Sequence, residues 1–345
     1  MKPRLRLTSL VFMSILLVAC QPNGGETELA GSVQGTTYHI KWAHANPDLK
    51  IEDIRKNVED IFARIDVKLS NWRQDSEISA LNRAKTTAWL PVSPEIAELI
   101  AIARVVHEKS AGCYDLTVKP IFDLWGFSRH ENRVPTAEEI AAVLPHIGLD
   151  KLELDAENLR IRKRDPELAI DLSSIAQGYT VGAVARYLEG LGIQNYLAEI
   201  GGEMKVKGRK ANGDEWRVAV EKPTPFTREV QKILSIHQQN GVAIMTSGTY
   251  RNFFEQQGHV YSHILDPKTG KPVTHHLLSD TVLHEDPTWA DAWSTALLCL
   301  GEEEGARVAE AEKLRVLFIS GENGQLKERL SSELEKNPDG APAAP

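Results

Sequence analysis

Cysteine is scarce: the 345 residues hold three, at positions 20, 113 and 299. No Cys-x-x-Cys pair occurs, which excludes a thiolate zinc site and a small disulfide-held scaffold. Positive charge is in deficit as well, with 40 Lys and Arg against 48 Asp and Glu and a formal net charge of −8. A polyanion would be repelled overall, so nucleic acid is not an expected partner. Two common phosphate-binding turns are missing, because no G-x-G-x-x-G follows a strand pattern and no G-x-x-x-x-G-K-[ST] occurs. Any nucleotide must therefore be held by a different architecture. Long apolar runs are absent too, apart from one between Leu10 and Val18.

That run follows Lys2, Arg4 and Arg6 and ends in Leu17-Val18-Ala19-Cys20. A basic start and a short apolar core read as a secretory signal over 1–19, too short to span a bilayer comfortably. The four residues ending in Cys20 resemble the bacterial lipobox. That resemblance implies cleavage before Cys20 and lipidation of Cys20, which would anchor the chain outside the cytoplasm on a bacterial membrane facing the periplasm. Losing the three basic residues takes the net charge from −8 to −11. It also leaves Cys113 and Cys299 as the only other cysteines, so at most one disulfide is possible. Residues 20–32 are polar and glycine-rich, as a flexible tether would be, and 331–345 end in NPDGAPAAP and read as a disordered tail. No repeat or low-complexity break divides 33–330, which is expected to fold as one unit with a large core.

Tyr38, Ile40 and Trp42 alternate with polar neighbours and predict a first strand after a QGTT turn. Ile51, Ile54, Val58, Ile61, Phe62, Ile65 and Leu69 recur at three-to-four spacing, as on one face of a helix. Ser93-Pro94 starts a second helix ending near Gly112, and Thr136 with Glu139 opens a third through a capping box. Leu168 to Asp171 reads as a strand running into a helix from about Ser174 to Leu191. Further strands are predicted near 195–200, 203–208, 215–221, 229–237 and 242–247, with a tight turn at Asp266 to Gly270. Strands in runs, with helices gathered at both ends, favour an α+β fold over a doubly wound parallel sheet.

Four polar clusters interrupt this pattern, each with a plain alternative. Asp115 and Lys119 sit among aromatics in GCYDLTVKPIFDLWGF, spaced as a helix-face ion pair. Asp171 ends the AIDLSSIAQGY strand, where Ser174 and Gln177 match a second capping box. His263 follows the polar run Thr246 to Thr249 and is, taken alone, an ordinary core histidine. Asp291 and Thr295 stack at i, i+4 in WADAWSTALL, where Thr288 and Asp291 also match a capping box and Trp289 and Trp293 suit a core. Taken together, acids at 115, 171 and 291 with hydroxyls at 173, 174 and 295 are hard oxygen donors of the kind Mg²⁺ prefers beside substrate phosphates.

The chain resembles the ApbE family, the FAD:protein FMN transferases, from about Gly31 to Leu330. Eight motifs occur in the family's order: GTTY at 35, SNWRQDSEISALN at 70, GCYDLTVKPIFDLWGF at 112, IDLSSIAQGY at 170, IGGEMKVKG at 200, TSGTYRNFFE at 246, SHILDPKTGKP at 262 and ADAWSTAL at 290. The resemblance implies a single domain of mixed or antiparallel sheet and helices, with an FAD cleft between two lobes. It implies that FMN passes from FAD to a Ser or Thr hydroxyl of a target protein as a phosphoester while AMP leaves, assisted by Mg²⁺. By motif position, the metal falls to Asp291, Thr295 and Ser174, and FAD contacts to Gln34, Trp72, Cys113, Tyr114, Asp115, Asp171, Gln177 and Leu265. His263 matches a histidine able to deprotonate the attacking hydroxyl. Gln177 departs from the family, which commonly has Lys there. Implied acceptors are extracytoplasmic redox-pump subunits, such as those of the Na⁺-translocating NADH:quinone reductase. Two competing expectations are an Mg²⁺-dependent FAD pyrophosphatase and a non-catalytic FAD-binding lipoprotein.

Overall fold

The computed structural model describes residues 25–337 apart from 44, 45, 47, 129, 130, 226–228, 237–239 and 323. The signal segment and Cys20 lie outside the described residues. The first described element corrects the expected tether: Thr27–Val33 is a strand, paired antiparallel with Thr36–Ala43. Gln34 and Gly35 join them with φ of 51° and 75°, the positive pair that a two-residue I′ hairpin turn requires. Leu29 is fully buried in the main core. With Leu29 as its one buried side chain, the strand shows too little periodicity to be read from the sequence.

This hairpin begins an eight-stranded sheet in the order Thr27–Val33, Thr36–Ala43, Asn195–Ile200, Glu203–Lys207, Val242–Gly248, Leu277–His284, Arg315–Glu322 and Gln325–Leu330. Every neighbouring pair is antiparallel. Helices Ile51–Leu69, Pro94–Lys109, Ala176–Gly190 and Pro287–Leu300 pack together on one face and enclose the largest core. Of the apolar stripe predicted from Ile51 to Leu69, Ile54 onward is the buried face of the helix and Ile51 is half-buried. A ribbon of Trp216–Glu221 and Val230–Ile236 covers part of the opposite face, packing Trp216, Val218 and Val220 with Val206, Ile244 and Leu317. A smaller lobe gathers Ile121, Trp125, Phe127 and Leu265 with Phe254 and Tyr261. Its Trp125 Nε1 donates to the Gly270 carbonyl at 2.8 Å. The α+β expectation holds, with an antiparallel main sheet.

Other boundaries differ from the sequence reading. Leu168 to Asp171 forms no sheet ladder, because a side chain takes the place of a partner strand. Asn82 donates to the Ile170 carbonyl at 2.8 Å and accepts from Ile170 N at 2.7 Å. The tail expectation is corrected over 331–337: Ser331 caps a short helix, Ser332–Lys336, and Leu334 is buried. Thr136 and Glu139 do form their capping box. Cys113 and Cys299, 186 residues apart in sequence, are joined by a disulfide that ties the smaller lobe's entry to the end of the 287–300 helix. Among the described residues, no helix is long and apolar enough to cross a membrane.

Candidate active site

The 287–300 helix starts from Asp286, whose carboxylate accepts from Thr288 N at 2.7 Å and Trp289 N at 3.2 Å, with Pro287 in the first turn. The expected Thr288–Asp291 capping box is therefore wrong. With capping complete at Asp286, the Asp291 carboxylate reaches across to the 176–190 helix and accepts from Gly178 N at 2.7 Å. That N–H is in the first turn, where no intrahelical acceptor exists. A side chain at 178 would block the approach, since a Cβ there would lie 2.4 Å from the Pro287 carbonyl oxygen and 2.6 Å from Asp291 Cβ. Gly178→Ala should lower stability by about 1–3 kcal/mol through this overpacking. Denaturant unfolding checks it, and an unchanged midpoint would contradict the close helix contact.

The second expected capping box also fails. The helix begins at Ala176 with Ile175 at the cap and no side-chain cap bond. Ser174 Oγ instead donates to the Tyr114 hydroxyl at 3.2 Å, while that hydroxyl lies 3.5 Å from the Ser174 carbonyl oxygen. Gln177 Nε2 donates to the Ile200 carbonyl at 2.6 Å. Asp115 does not pair with Lys119, which bonds Asp123 at 2.8 Å. Asp115 caps the short turn Leu116–Val118, accepting from Thr117 N at 2.7 Å and from Leu149 N at 2.9 Å. Asp171 accepts from Asn71 Nδ2 and Ser173 N, both at 2.8 Å.

These groups meet around a cleft of about 780 Å³, within the range of ligand sites. Trp72, Cys113, Tyr114, Asp115, Asp171 and Gln177 line it, together with Ser174, His263, Leu265, Asp291 and Thr295. Gln34 stands apart at the hairpin turn, donating to Asp66 at 3.1 Å and to Thr180 at 3.4 Å. Sequence reasoning assigned no role to Glu203, Thr246 or Ser247, although their motifs were noted. Glu203 lines the cleft and accepts from Thr246 N at 3.1 Å. Ser247 Oγ bonds Ser294 Oγ at 2.8 Å and lies 3.5 Å from Thr295 Oγ1.

The electrostatics favour a cation. Burial pushes the Asp291 carboxyl up to about 7, with the Gly178 N–H pulling partly back. Burial, reinforced by the Asp291 charge, drives Glu203 well above the usual carboxylate range. Asp280, wholly buried with neither oxygen hydrogen-bonded among the described residues, is raised by burial alone. Such acids gain from an added positive charge. A hard oxygen set of the Asp291 carboxylate, the Thr295 hydroxyl one turn on and the Ser174 backbone oxygen fits Mg²⁺, which takes one or two carboxylates and leaves positions for phosphates. Among the described residues, no three His, Cys, Asp or Glu side chains group as metal ligands. His263 Nδ1 lies 2.9 Å from the Asn252 carbonyl oxygen. That oxygen only accepts, so Nδ1 carries the proton and Nε2 keeps its lone pair. Burial lowers the ring to about 4.

The ApbE family model matches residues 34–318. The FAD:protein FMN transferase of Vibrio cholerae is 37% identical over 323 residues, covering 93% of this chain and 95% of that protein. Its counterpart in Escherichia coli K12 is 32% identical over 338 residues, 95% of each. Among solved structures, the flavin transferase ApbE from Vibrio cholerae superposes with a TM-score of 0.83 at 36% identity, covering 91% of this chain and 99% of that one. The apo form of Pseudomonas stutzeri flavinyl transferase ApbE gives 0.83 at 34% identity, over 93% and 98%.

Proposed function

The chain belongs to the ApbE family and transfers FMN from FAD to protein, and we propose that it does so with Mg²⁺, onto a Ser or Thr hydroxyl, releasing AMP. The observation that carries the metal assignment is the buried Asp291 carboxylate, fixed at 2.7 Å on Gly178 N beside a cleft of about 780 Å³. In the reaction the acceptor oxygen bonds to the phosphorus of the FMN half, the bond from that phosphorus to the bridging oxygen breaks, and AMP departs with the electron pair. Such transfers depend on positioning and on neutralising negative charge. Mg²⁺, when held by Asp291, Thr295 and the Ser174 backbone oxygen, would supply that neutralisation at the pyrophosphate. First-turn N–H groups of the 176–190 helix add favourable potential for an anion. Trp72, the 113–115 segment, Asp171, Gln177 and Leu265 would contact FAD, with Gln177 offering a neutral hydrogen bond rather than a charge.

His263 Nε2 accepts the acceptor's proton. Because the ring titrates near 4, it is a free base throughout the neutral range. His263→Ala should slow transfer about 10²-fold and spare FAD affinity, as read by single-turnover transfer and by flavin fluorescence. A loss of FAD binding with the transfer step unaffected would make it a contact residue instead.

We further place the protein outside the cytoplasm, lipid-anchored through Cys20, acting on redox-pump subunits of the Na⁺-translocating NADH:quinone reductase type. The Cys113–Cys299 bond supports an oxidising compartment. The test combines protein, FAD, Mg²⁺ and an acceptor domain, with chelator as control. Covalently flavinylated acceptor and AMP are expected. Free FMN with unmodified acceptor would indicate a pyrophosphatase, and intact FAD a binding protein.

A further inference from the structure

The two edges of the ribbon on the sheet's far face have different surroundings. On the Val230–Ile236 side, Gln231 and Lys232 bond Glu328 of the last sheet strand at 2.7 and 2.8 Å. On the other side, Arg217 through Glu221 line the cleft without interruption. Side chains alone would alternate between faces, so an unbroken run means that the strand presents its edge. Lys222 N donates across the ribbon to the Glu229 carbonyl at 2.8 Å. Alternation along the strand then directs the N–H groups of Arg217, Ala219 and Glu221 away from the partner strand, toward the cleft.

The sheet beneath is incompletely covered. Val206 and Ile244 are buried under the ribbon, whereas Leu197 and Met204 on the same face are only half-buried and line the cleft. Among the described residues no further strand pairs with this edge, which overhangs an apolar floor made by Leu197 and Met204 of two neighbouring sheet strands. It also leads to the chemistry: Glu221 bonds Arg251, whose neighbour Asn252 holds His263.

We propose that the acceptor protein docks by strand addition, an extended segment joining the ribbon at Arg217–Glu221, covering Leu197 and Met204, and delivering its hydroxyl toward His263 and Asp291. This rests on the FMN-transfer reading above. Main-chain bonds provide the affinity, and alternate side chains over Leu197 and Met204 provide the selectivity. A donor row that a soluble protein would normally shield is left open because its partner arrives with the substrate.

Amide exchange on the full chain with FAD and an acceptor whose target Ser or Thr is Ala tests this without turnover. Binding should slow the Arg217, Ala219 and Glu221 amides at least about tenfold, and unchanged rates at saturating acceptor would overturn the proposal. Ala219→Pro removes a donor that the ribbon itself does not use, a position where an edge strand tolerates Pro. It should raise the acceptor KM about tenfold or more, one main-chain bond plus a lost fit. An unchanged KM, or lost FAD affinity with acceptor KM intact, would also overturn strand addition. Wild-type transfer measured alongside separates the failures: no transfer at all removes the FMN-transfer reading and docking together, whereas normal transfer with an indifferent edge removes docking alone.

Discussion

Asp291→Ala should cut FMN transfer by about 10³-fold or more while leaving the protein folded, since a metal-held carboxylate supplies several kcal/mol of transition-state stabilisation. The side chain sits in a tight place, but its loss leaves only the Gly178 N–H without its 2.7 Å partner, and the cleft can admit water. AMP release and acceptor labelling measure the effect. Release at the original rate would show that the cation, if needed, is held elsewhere.

The same residue predicts a pH dependence. The folded carboxyl titrates near 7 against an ordinary 3.8, so between those values the cation-free fold binds a proton that the unfolded chain has released. Its contribution to stability therefore falls as pH rises from about 4 to about 7 and is level above. A cation must displace that proton, so Mg²⁺ affinity should rise by up to about tenfold per pH unit below about 7 and level off beyond it. Titration calorimetry with wild type and Asp291→Asn separates this from other acids, because the Asn variant should lose the slope.

Removing the disulfide should have the largest effect on stability. Cys113 and Cys299 close a loop of 186 residues, for which chain entropy gives about 5 kcal/mol and experience with native disulfides about 2–5. The bond joins the 113–115 segment to the helix carrying Asp291 and Thr295, two walls of the same cleft. Cys113→Ser with Cys299→Ser should therefore lower the unfolding midpoint and weaken FAD binding together. Reductant should shift wild type toward the double variant and leave the variant unmoved. Identical midpoints in all four conditions would mean the bond adds nothing.

Much of this was legible in the sequence, because repeating patterns report burial directly. The stripe from Ile51 to Leu69 identified its helix, alternation at Tyr38, Ile40 and Trp42 located a strand, and the strands expected near 195–200 and 203–208 are present. The cluster at Asp291 and Thr295 was visible as an acid and a hydroxyl at i, i+4 in an apolar helix. What stayed hidden depended on partners distant in sequence. Three residues later than a Thr, an acid looks like a cap, and nothing local showed that Asp286 already served that end, freeing Asp291 to reach Gly178. Leu168 to Asp171 reads as a strand, yet its Ile170 backbone pairs with the Asn82 side chain and its Asp171 N–H with the Leu116 carbonyl rather than with a strand. Leu29 and Leu334 are single buried residues in polar surroundings, too few to make a period. Glu203 alternates within a strand, so its sequence resembles a solvated face although the fold turns it into the cleft.

The most direct measurement is anomalous diffraction from crystals of the protein grown with FAD and Mn²⁺. A single strong peak touching the Asp291 carboxylate, the Thr295 hydroxyl, the Ser174 backbone oxygen and the FAD pyrophosphate is the expected result. A peak remote from residue 291, or a pyrophosphate bound outside the cleft, would contradict it.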